Sequence, residues 1–562
     1  MKCKEFFKNI LLDHGVKDVF GLPGGVILDF LESLSNEINP RLVFHEQSAV
    51  FSAIGYSRAN NGLGVAYATR GPGITNTLTS VSDAYFDSVP VLIITGHSGD
   101  LPLEGMRTLS DQEIDIISIF KSITKSAVRV ETPEEFVKYS EELVNLALSD
   151  RPGPVLLDVK SNIWNKEIPK FNNYNKESVN LLDNIEIGLN SIKNELTQSK
   201  KPILLLGDGF RGQHNAINEI LNFAESNKLP ILSGRFSQDL FSKSKYYFGY
   251  LGSHGLRSGN FIFAKSDLVI SIGNRLHYPV SSNSWGPLIE KLKIIWLDID
   301  EKEFKRKVPN TINHHINLKD LCGQINNINI KNNFYGWVNT CQLLTTELRK
   351  FDISEPIPLI SDIFKEHSKY SGIISDVGNH EFWVARAYFE SKVSTSLIFS
   401  KSFGAMGSAL GKAIGFAHST KEKILCFVGD QGLMMNIQEL HYIAHHELPI
   451  KIFLMNNLSS GMIRSRQIDS GRKVLQTTLE TGYSLPNFPK VVSSFGIPSY
   501  SFDGHDTKIH NLQPILDKDG PALIELITSP EFEGRPHLPY GNFPTRLSPE
   551  LASDIQNFLE KL

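Results

Sequence analysis

Cysteine is scarce: four residues in 562, Cys3, Cys322, Cys341 and Cys426, with no Cys-x-x-Cys pair. Thiols scattered this way supply neither a disulfide framework nor a zinc site, and a reducing cytoplasm is the expected setting. A basic excess is also missing. The 57 Lys and Arg stand against 61 Asp and Glu for a net charge of −4, which leaves nothing to neutralise a phosphate backbone and excludes nucleic acid as an expected partner. No apolar run reaches the ~20 residues of a membrane span. The charges of Lys2, Lys4, Glu5 and Lys8 interrupt the apolar opening segment, so it reads as an amphipathic helix, not a signal-peptide core, and no membrane partner is expected.

What is present is a repeated rhythm of short β-branched runs, Gly or Asp/Asn turns and helical patterns, the signature of parallel βαβ units. Asp18-Val-Phe-Gly, Arg41-Leu-Val-Phe, Gly64-Val-Ala-Tyr-Ala, Pro90-Val-Leu-Ile-Ile-Thr and Pro154-Val-Leu-Leu-Asp form a first set, read as buried strands. Pro202-Ile-Leu-Leu-Leu-Gly, Leu268-Val-Ile-Ser-Ile-Gly and Ile294-Ile-Trp-Leu-Asp-Ile-Asp form a second. Gly372-Ile-Ile-Ser-Asp, Ile424-Leu-Cys-Phe-Val-Gly-Asp, Ile450-Lys-Ile-Phe-Leu-Met-Asn-Asn and Pro521-Ala-Leu-Ile-Glu-Leu-Ile form a third. Polar stretches over 162–183 and 326–333 separate the sets. The expected fold is therefore α/β with three doubly wound parallel-sheet domains, over 1–165, 184–335 and 355–545.

One constellation carries chemistry. Gly429-Asp430-Gln431-Gly432 closes a strand, Met434 through Glu447 has helical periodicity, and the next strand ends in Asn456-Asn457. Parallel strands present their ends on one sheet edge, so Asp430 and Asn457 can meet there. A carboxylate, an amide oxygen and the carbonyl of Ser459 are the hard ligands Mg²⁺ prefers, with a diphosphate completing its shell. The helix opening after Gly432 turns free N–H groups toward the same anion. Either piece alone is an ordinary turn or strand end; at this spacing and between two buried strands they form one signal. It resembles the diphosphate and Mg²⁺ motif of thiamine-diphosphate enzymes, except that Gln431 stands where the family has a third glycine, which leaves the metal ligand intact but is expected to crowd the turn.

Far upstream, Leu42-Val-Phe leads into His45-Glu46-Gln47 and a helix. No second His follows at zincin spacing, and alone Glu46 would be a carboxylate favoured by a helix dipole. The resemblance gives it another role: hydrogen-bonding N1′ of the cofactor's aminopyrimidine. Further segments are similar to the acetolactate synthase branch of that superfamily over almost the whole length. Gly21-Leu-Pro-Gly-Gly25, Thr69-Arg-Gly-Pro-Gly-Ile-Thr-Asn76 and Asp87-Ser-Val-Pro-Val-Leu-Ile-Ile-Thr-Gly96 match its pyrimidine-binding (PYR) domain. Asp376-Val-Gly-Asn-His380, Phe403-Gly-Ala-Met-Gly407 and Met434-Met-Asn-Ile-Gln-Glu-Leu440 match its diphosphate-binding (PP) domain. The resemblance implies a cofactor site of Gly24, Gly25, Glu46, Asn76, Asn379, His380, Gly404, Met406, Asp430, Gln431, Gly432, Asn457, Gly461 and Met462. In it Asn379 and His380 contact the diphosphate, and Met406 is the apolar wedge that bends the cofactor. Core filler is the usual alternative for a Met. Because Glu46 and Asp430 lie in different domains, the resemblance implies a homodimer or homotetramer with the active site at the subunit interface.

The middle domain keeps part of the branch's flavin pattern in Leu251-Gly252-Ser-His254-Gly, Gly273-Asn274-Arg275 and Asp298-Ile-Asp, and Gly207 and Gly209 belong with it. FAD, held without a redox role, is the implied second cofactor. The acceptor side departs from the family. Pro279 falls where a second arginine grips the acceptor keto acid, Ser253 replaces a methionine and Arg466 replaces the specificity tryptophan. A proline cannot pair with a carboxylate, whereas an arginine suits phosphate or a sugar hydroxyl; alone, Arg466 could also be a solvated surface residue. The donor side is retained in Gln112 and Glu113, although Asp111 stands where the family has an aromatic. Pyruvate is thus the expected acyl donor, with general acid–base help from Gln112, and the acceptor is a ketone, on a CDP-linked deoxysugar as in yersiniose-type branched-sugar carboligases. Alternatives are a true acetolactate synthase joining two pyruvates and a catalytically silent nucleotide-binding scaffold. The pairs His314-His315 and His445-His446 are read as structural or exposed, since adjacent imidazoles on a helix diverge.

Overall fold

The computed structural model describes residues 1–34, 37–99, 106–107, 110–169, 182–277, 288, 292–366 and 370–562. Eighteen strands among them form three six-stranded, all-parallel sheets. The first holds β1 (Asp18–Gly21), β2 (Asn39–Leu42), β3 (Gly64–Tyr67), β4 (Val91–His97), β5 (Ser126–Val130) and β6 (Val155–Lys160) in the order β2-β1-β3-β4-β6-β5. The second holds β7 (Pro202–Leu206), β8 (Ile231–Gly234), β9 (Tyr247–Leu251), β10 (Leu268–Ile272), β11 (Lys293–Asp298) and β12 (Thr311–His315) in the order β12-β11-β10-β7-β8-β9. The third holds β13 (Gly372–Ser375), β14 (Ser396–Ile398), β15 (Ile424–Gly429), β16 (Ile450–Asn456), β17 (Ser499–Asp503) and β18 (Ala522–Ile527) in the order β14-β13-β15-β16-β18-β17. Counted from its own first strand, the third sheet repeats the order of the first.

The central strands are uniformly apolar because helices cover both faces of a parallel sheet; Leu92, Ile93, Ile94, Ile452, Phe453 and Leu454 are all fully buried. The second strand departs from its expected place. It begins at Asn39, two residues early, and is mostly exposed, because it pairs only with β1 at the edge of its sheet.

The chain folds into two compact units: Met1–Asn175, Lys369–Glu381 and Ile398–Glu531 make the first, and Lys176–Ser368, Phe382–Leu397 and Phe532–Leu562 the second. The first sheet and nearly all of the third share the first unit. The residues after 531 join the second unit. The elements that position the site are α1 (Glu46–Asn60), α2 (Leu78–Phe86), α3 (Ser408–Thr420), α4 (Asp430–Met435), α5 (Glu439–His445) and α6 (Gly461–Asp469). The expected helix from Met434 to Glu447 is thus two helices. It breaks at Asn436, whose side chain donates to the Gly407 carbonyl (2.7 Å) and accepts from the Ser48 hydroxyl (3.0 Å), bonds that compete with the helical ladder.

α1 and α3 lie at equivalent points of the two sheets and pack against each other at backbone distance. A Cβ on Gly55 would sit 1.9 Å from the Lys412 carbonyl oxygen, and one on Gly415 1.8 Å from that of Ser52. The four cysteines are buried and unpaired. No helix among the described residues is long and apolar enough to cross a membrane.

Candidate active site

The third sheet reverses its winding between β13 and β15, and the ends of those strands bear the diphosphate motif, as ligands of open α/β sheets prefer. Asp430 opens α4 directly after β15 and is 4 % exposed. Its Oδ1 accepts from the Tyr483 hydroxyl (2.9 Å) and from the Gln431 amide (2.7 Å), while Oδ2 is buried with no hydrogen-bond partner. Burial raises its carboxyl to about 6, against the hydrogen bonds from Tyr483 and Gln431. Asn457 follows β16 and is equally buried. A Cβ built on Gly461, the first residue of α6, would stand 2.4 Å from Asn457 Nδ2 and 2.8 Å from Asn379 Nδ2. Two side-chain amides therefore converge on a hollow that only glycine leaves open. Gln431 does not crowd the turn as expected: it lies in the first turn of α4 with its side chain exposed, accepting from the Ser460 hydroxyl.

His380 packs beside Gly429 and Gly378 and is 4 % exposed, and its Nε2 has no hydrogen-bond partner. Burial lowers its pKa to about 4, so the ring is neutral near pH 7 and can exchange hydrogen bonds without adding charge. Asp376 follows β13 and accepts from the amides of Gly407 (2.8 Å) and Ser408 (3.2 Å), closing the start of α3. A Cβ on Gly432 would clash with its Oδ2 at 2.4 Å. Met406 is half-buried just before Gly407, and Gly404 takes a left-handed φ of +71°. Met462 is half-buried in α6.

The first sheet reverses between β1 and β3, and a second cluster sits beyond those ends. Glu46 heads α1, capped by His45, and its Oε2 accepts from Asn76 Nδ2 at 3.0 Å. A Cβ on Gly73 would lie 3.3 Å from Glu46 Oε1 and 2.8 Å from Thr69 Cγ2; one on Gly24 would be 2.3 Å from the Thr69 side chain. Gly24, Thr69, Gly73, Glu46 and Asn76 thus share one locality, whereas at Gly25 a Cβ would meet nothing. Among the described residues, no hydrogen bond within one chain joins Glu46 or Asn76 to Asp430, Gln431 or Asn457.

Gln112 and Glu113, adjacent in sequence, have opposite environments. Gln112 is exposed with φ +58°, and its backbone abuts Gly71. Glu113 is buried and accepts from Arg70 Nη1 (2.9 Å) and from the amide (2.8 Å) and hydroxyl (2.7 Å) of Ser98. Burial pushes the Glu113 carboxyl up, but those bonds and the Arg70 charge outweigh it and hold it below the ordinary value. Arg466 is exposed in the last turn of α6 with no ion pair among the described residues. Pro279 lies outside the described residues.

In the second unit the sheet reverses between β7 and β10. A Cβ on Gly207 would lie 2.0 Å from the Gly273 carbonyl oxygen, and one on Gly209 2.9 Å from Gly273 Cα, so three glycines let the two strand-end loops meet. Asn274 accepts from the Leu276 amide with its side chain and from Trp296 Nε1 with its carbonyl. Gly252 is bound at both backbone groups by the buried side chain of Asn260, and the preceding Leu251 is buried at the end of β9. The His254 ring stacks on Phe382 at 3.9 Å, and burial, then the charges of Arg235 and Arg386, hold its pKa well below the ordinary value. Ser253 is buried, its hydroxyl on His254 Nδ1 and its carbonyl taken by the Leu538 amide. Arg275 Nη2 meets His277 Nε2, and Asp298, at the end of β11, accepts from the Asp300 amide.

Tyr483, Asp376 and Arg70 were not among the expected site residues. Asp376 and Arg70 lie inside quoted motifs, but Tyr483 has no local pattern that marks it.

Three family models match the chain. The thiamine pyrophosphate enzyme N-terminal TPP binding domain matches residues 1–119, the central domain 189–325 and the C-terminal TPP binding domain 376–526. Among similar proteins, the acetolactate synthase large subunit of Lactococcus lactis subsp. lactis is 30% identical over 553 residues, covering 94% of this chain and 93% of its own. The acetolactate synthase isozyme 2 large subunit of Escherichia coli is 30% identical, covering 94% and 95%. The acetolactate synthase large subunit of Pyropia yezoensis is 31% identical, covering 92% and 90%.

Proposed function

Because this chain belongs to the thiamine-diphosphate-dependent enzymes, in the family of acetolactate synthase large subunits, we propose that it is a decarboxylating carboligase that takes a two-carbon acyl unit from pyruvate and adds it to a ketone. The observation that carries this reading is the buried, unpartnered Oδ2 of Asp430, whose Oδ1 is already taken by the Gln431 amide and the Tyr483 hydroxyl. A charged oxygen kept from water without a partner is costly unless a cation completes it. With Asn457 and the Ser459 carbonyl it forms the hard-oxygen set that suits Mg²⁺ and, through the metal, a diphosphate. Asn379 and His380 would hold the same diphosphate by uncharged hydrogen bonds.

Bound thiamine diphosphate supplies the electron sink for the carbon that loses CO₂. The chain supplies the rest. Glu46, fixed by Asn76, would hold and exchange a proton at the pyrimidine N1′. Met406 would press on the cofactor as an apolar wedge, and Gln112 would face the donor. FAD, without redox work, is the proposed ligand of the second unit, where the glycines of β7 and β10 meet at the winding reversal.

For the acceptor we favour a ketone on a nucleotide-linked sugar, a CDP-keto-deoxysugar. Exposed Arg466 offers a planar donor to phosphate or hydroxyl, and Pro279 removes a carboxylate clamp. Condensation of two pyruvates is the second reading, favoured by the names of full-length relatives. Protein loaded with thiamine diphosphate and Mg²⁺ is given labelled pyruvate with and without a CDP-keto-deoxysugar. Two labelled carbons entering the sugar are expected; equal acetolactate in both arms would refute the sugar acceptor, and no CO₂ release in either would refute the carboligase.

A further inference from the structure

Gln112 has a left-handed backbone, φ +58°, which non-glycine residues seldom adopt without an external restraint. The restraint comes from two directions. Behind it, Gly71 is itself left-handed (φ +61°), and a Cβ there would lie 2.6 Å from the Gln112 carbonyl oxygen and 2.8 Å from its Cβ. The turn after β3 therefore presses directly on residue 112. Beside it, Glu113 binds Arg70, the residue before Gly71, and Ser98, the residue after β4. One carboxylate thus ties two strand ends to its own loop, and Arg70–Glu113 and Gly71–Gln112 are neighbouring rungs of one contact.

The anchor continues inward. Thr95, Asp158 and Arg129 are register partners across β4, β6 and β5, so their side chains share one face of the sheet. Arg129 Nη2 is 3.8 Å from Glu113 Oε2, and its Nη1 is 3.7 Å from Asp158 Oδ2. Glu113 therefore sits on a buried polar row, with Arg70 and Arg129 on opposite sides of its carboxylate.

We infer that Glu113 is a positioning residue: clamped by Arg70 and Ser98 and backed by Arg129, it holds Gln112 in the left-handed conformation that presents its amide to the acyl donor, without itself touching substrate or cofactor. The inference rests on the donor-facing role proposed above for Gln112 and names the device that sets it.

The test compares the holoenzyme with Glu113→Gln, Arg70→Met, Arg70→Lys and Ser98→Ala. It reads kcat and KM for CO₂ release from pyruvate, the Kd for thiamine diphosphate, and hydrogen exchange of the amides over 111–116. Glu113→Gln keeps the shape and removes the charge that holds Arg70. Exchange over 111–116 should rise at least ~10-fold and kcat fall ~10- to 100-fold, the cost of a small misplacement, with cofactor Kd within about threefold. Arg70→Met should do the same, Arg70→Lys should recover part of kcat, and Ser98→Ala, which spares the amide donor, should fall between. Unchanged exchange in Glu113→Gln overturns the inference, and so does loss of cofactor affinity in step with kcat. If the parent protein releases no CO₂ from pyruvate, the functional reading fails, yet the exchange comparison still decides whether Glu113 clamps residue 112.

Discussion

Lys412→Met tests whether a single buried ion pair fastens the third sheet to the first. Lys412 Nζ lies 2.8 Å from Asp83 Oδ2, with both side chains 1 % exposed. Asp83, on α2, also accepts from the Ser400 hydroxyl, which in turn accepts from the Ala405 amide, and Asp87 accepts from the amides of Lys401 and Ser402. The segment leading to Met406 is thus tied to the first domain. Burial pushes the Asp83 carboxyl up and Lys412 pulls it back; without Lys412 the cost of burial is uncompensated. Removing one partner of such a pair costs about 3–5 kcal/mol, whereas replacing both by apolar residues is close to neutral. Native-state hydrogen exchange of α1 and α3 amides reports this as an opening free energy. Lys412→Met should speed exchange by roughly 10²- to 10³-fold or more, since each 1.4 kcal/mol is a factor of ten. Asp83→Leu with Lys412→Met should restore most of the protection. A single variant within ~0.5 kcal/mol of the parent, or a double variant as labile as the single, would refute the reasoning.

Asp158 lies behind the Glu113 clamp, and burial, opposed by Arg129 and assisted by Glu113 and Glu131, raises its pKa from 3.8 to about 7. A folded-state value above the unfolded one means stability is full below pH ~4 and lost as pH rises through 7, by roughly 4 kcal/mol at most. Asp158→Asn should flatten that slope and make the protein more stable than the parent at pH 8; parallel denaturation curves for the two across pH 5–8 would contradict this. Gly415→Ala places a Cβ 1.8 Å from the Ser52 carbonyl oxygen and should lower Tm by several degrees, whereas Gly336→Ala, where a Cβ meets nothing, should not. Glu46→Gln should leave thiamine diphosphate bound, by titration, while turnover falls by two or more orders of magnitude; near-parental turnover would remove Glu46 from the mechanism.

The strand runs were legible because parallel strands buried on both faces are uniformly apolar; Val91–His97 and Ile450–Asn456 are visible in composition alone. Edge strands were harder: β2 was read two residues late, and β5, β12 and β17, largely part-buried or exposed, blend with loops. The break at Asn436 was hidden because its cause is a hydrogen bond to Gly407, distant in sequence. That Asp430, Asn457 and Glu46 lie just beyond strands could be read from their motifs, since parallel strands end on one sheet edge. Tyr483 and the opposite fates of Gln112 and Glu113 could not, because they depend on side-chain direction.

The repeat of one strand order in the first and third sheets frames the last question, which chain completes which site. Equivalent helices α1 and α3 join the two domains within one chain, and that contact already consumes Gly55, Gly411 and Gly415. Glu46 and Asp430 gain no hydrogen bond to each other's cluster from it. Next to Glu46 the chain exposes Leu42 (49 %) and Phe44 (43 %), and in the helix headed by Asp430 it exposes Met434 (44 %) and Met435 (49 %). Apolar surface exposed beside Glu46 and Asp430 is what an isologous interface would cover. If two chains pair so that each lends Glu46 to the other's Asp430, co-expressing Glu46→Gln with Asp430→Asn yields mixed dimers in which one site carries both changes and the other neither. Random pairing makes half the dimers mixed, so turnover should recover to about a quarter of the parental value, while each variant alone stays inactive. Equal inactivity of the co-expressed mixture, with mixed dimers verified by two affinity tags, would show that Glu46 and Asp430 serve one site within a single chain.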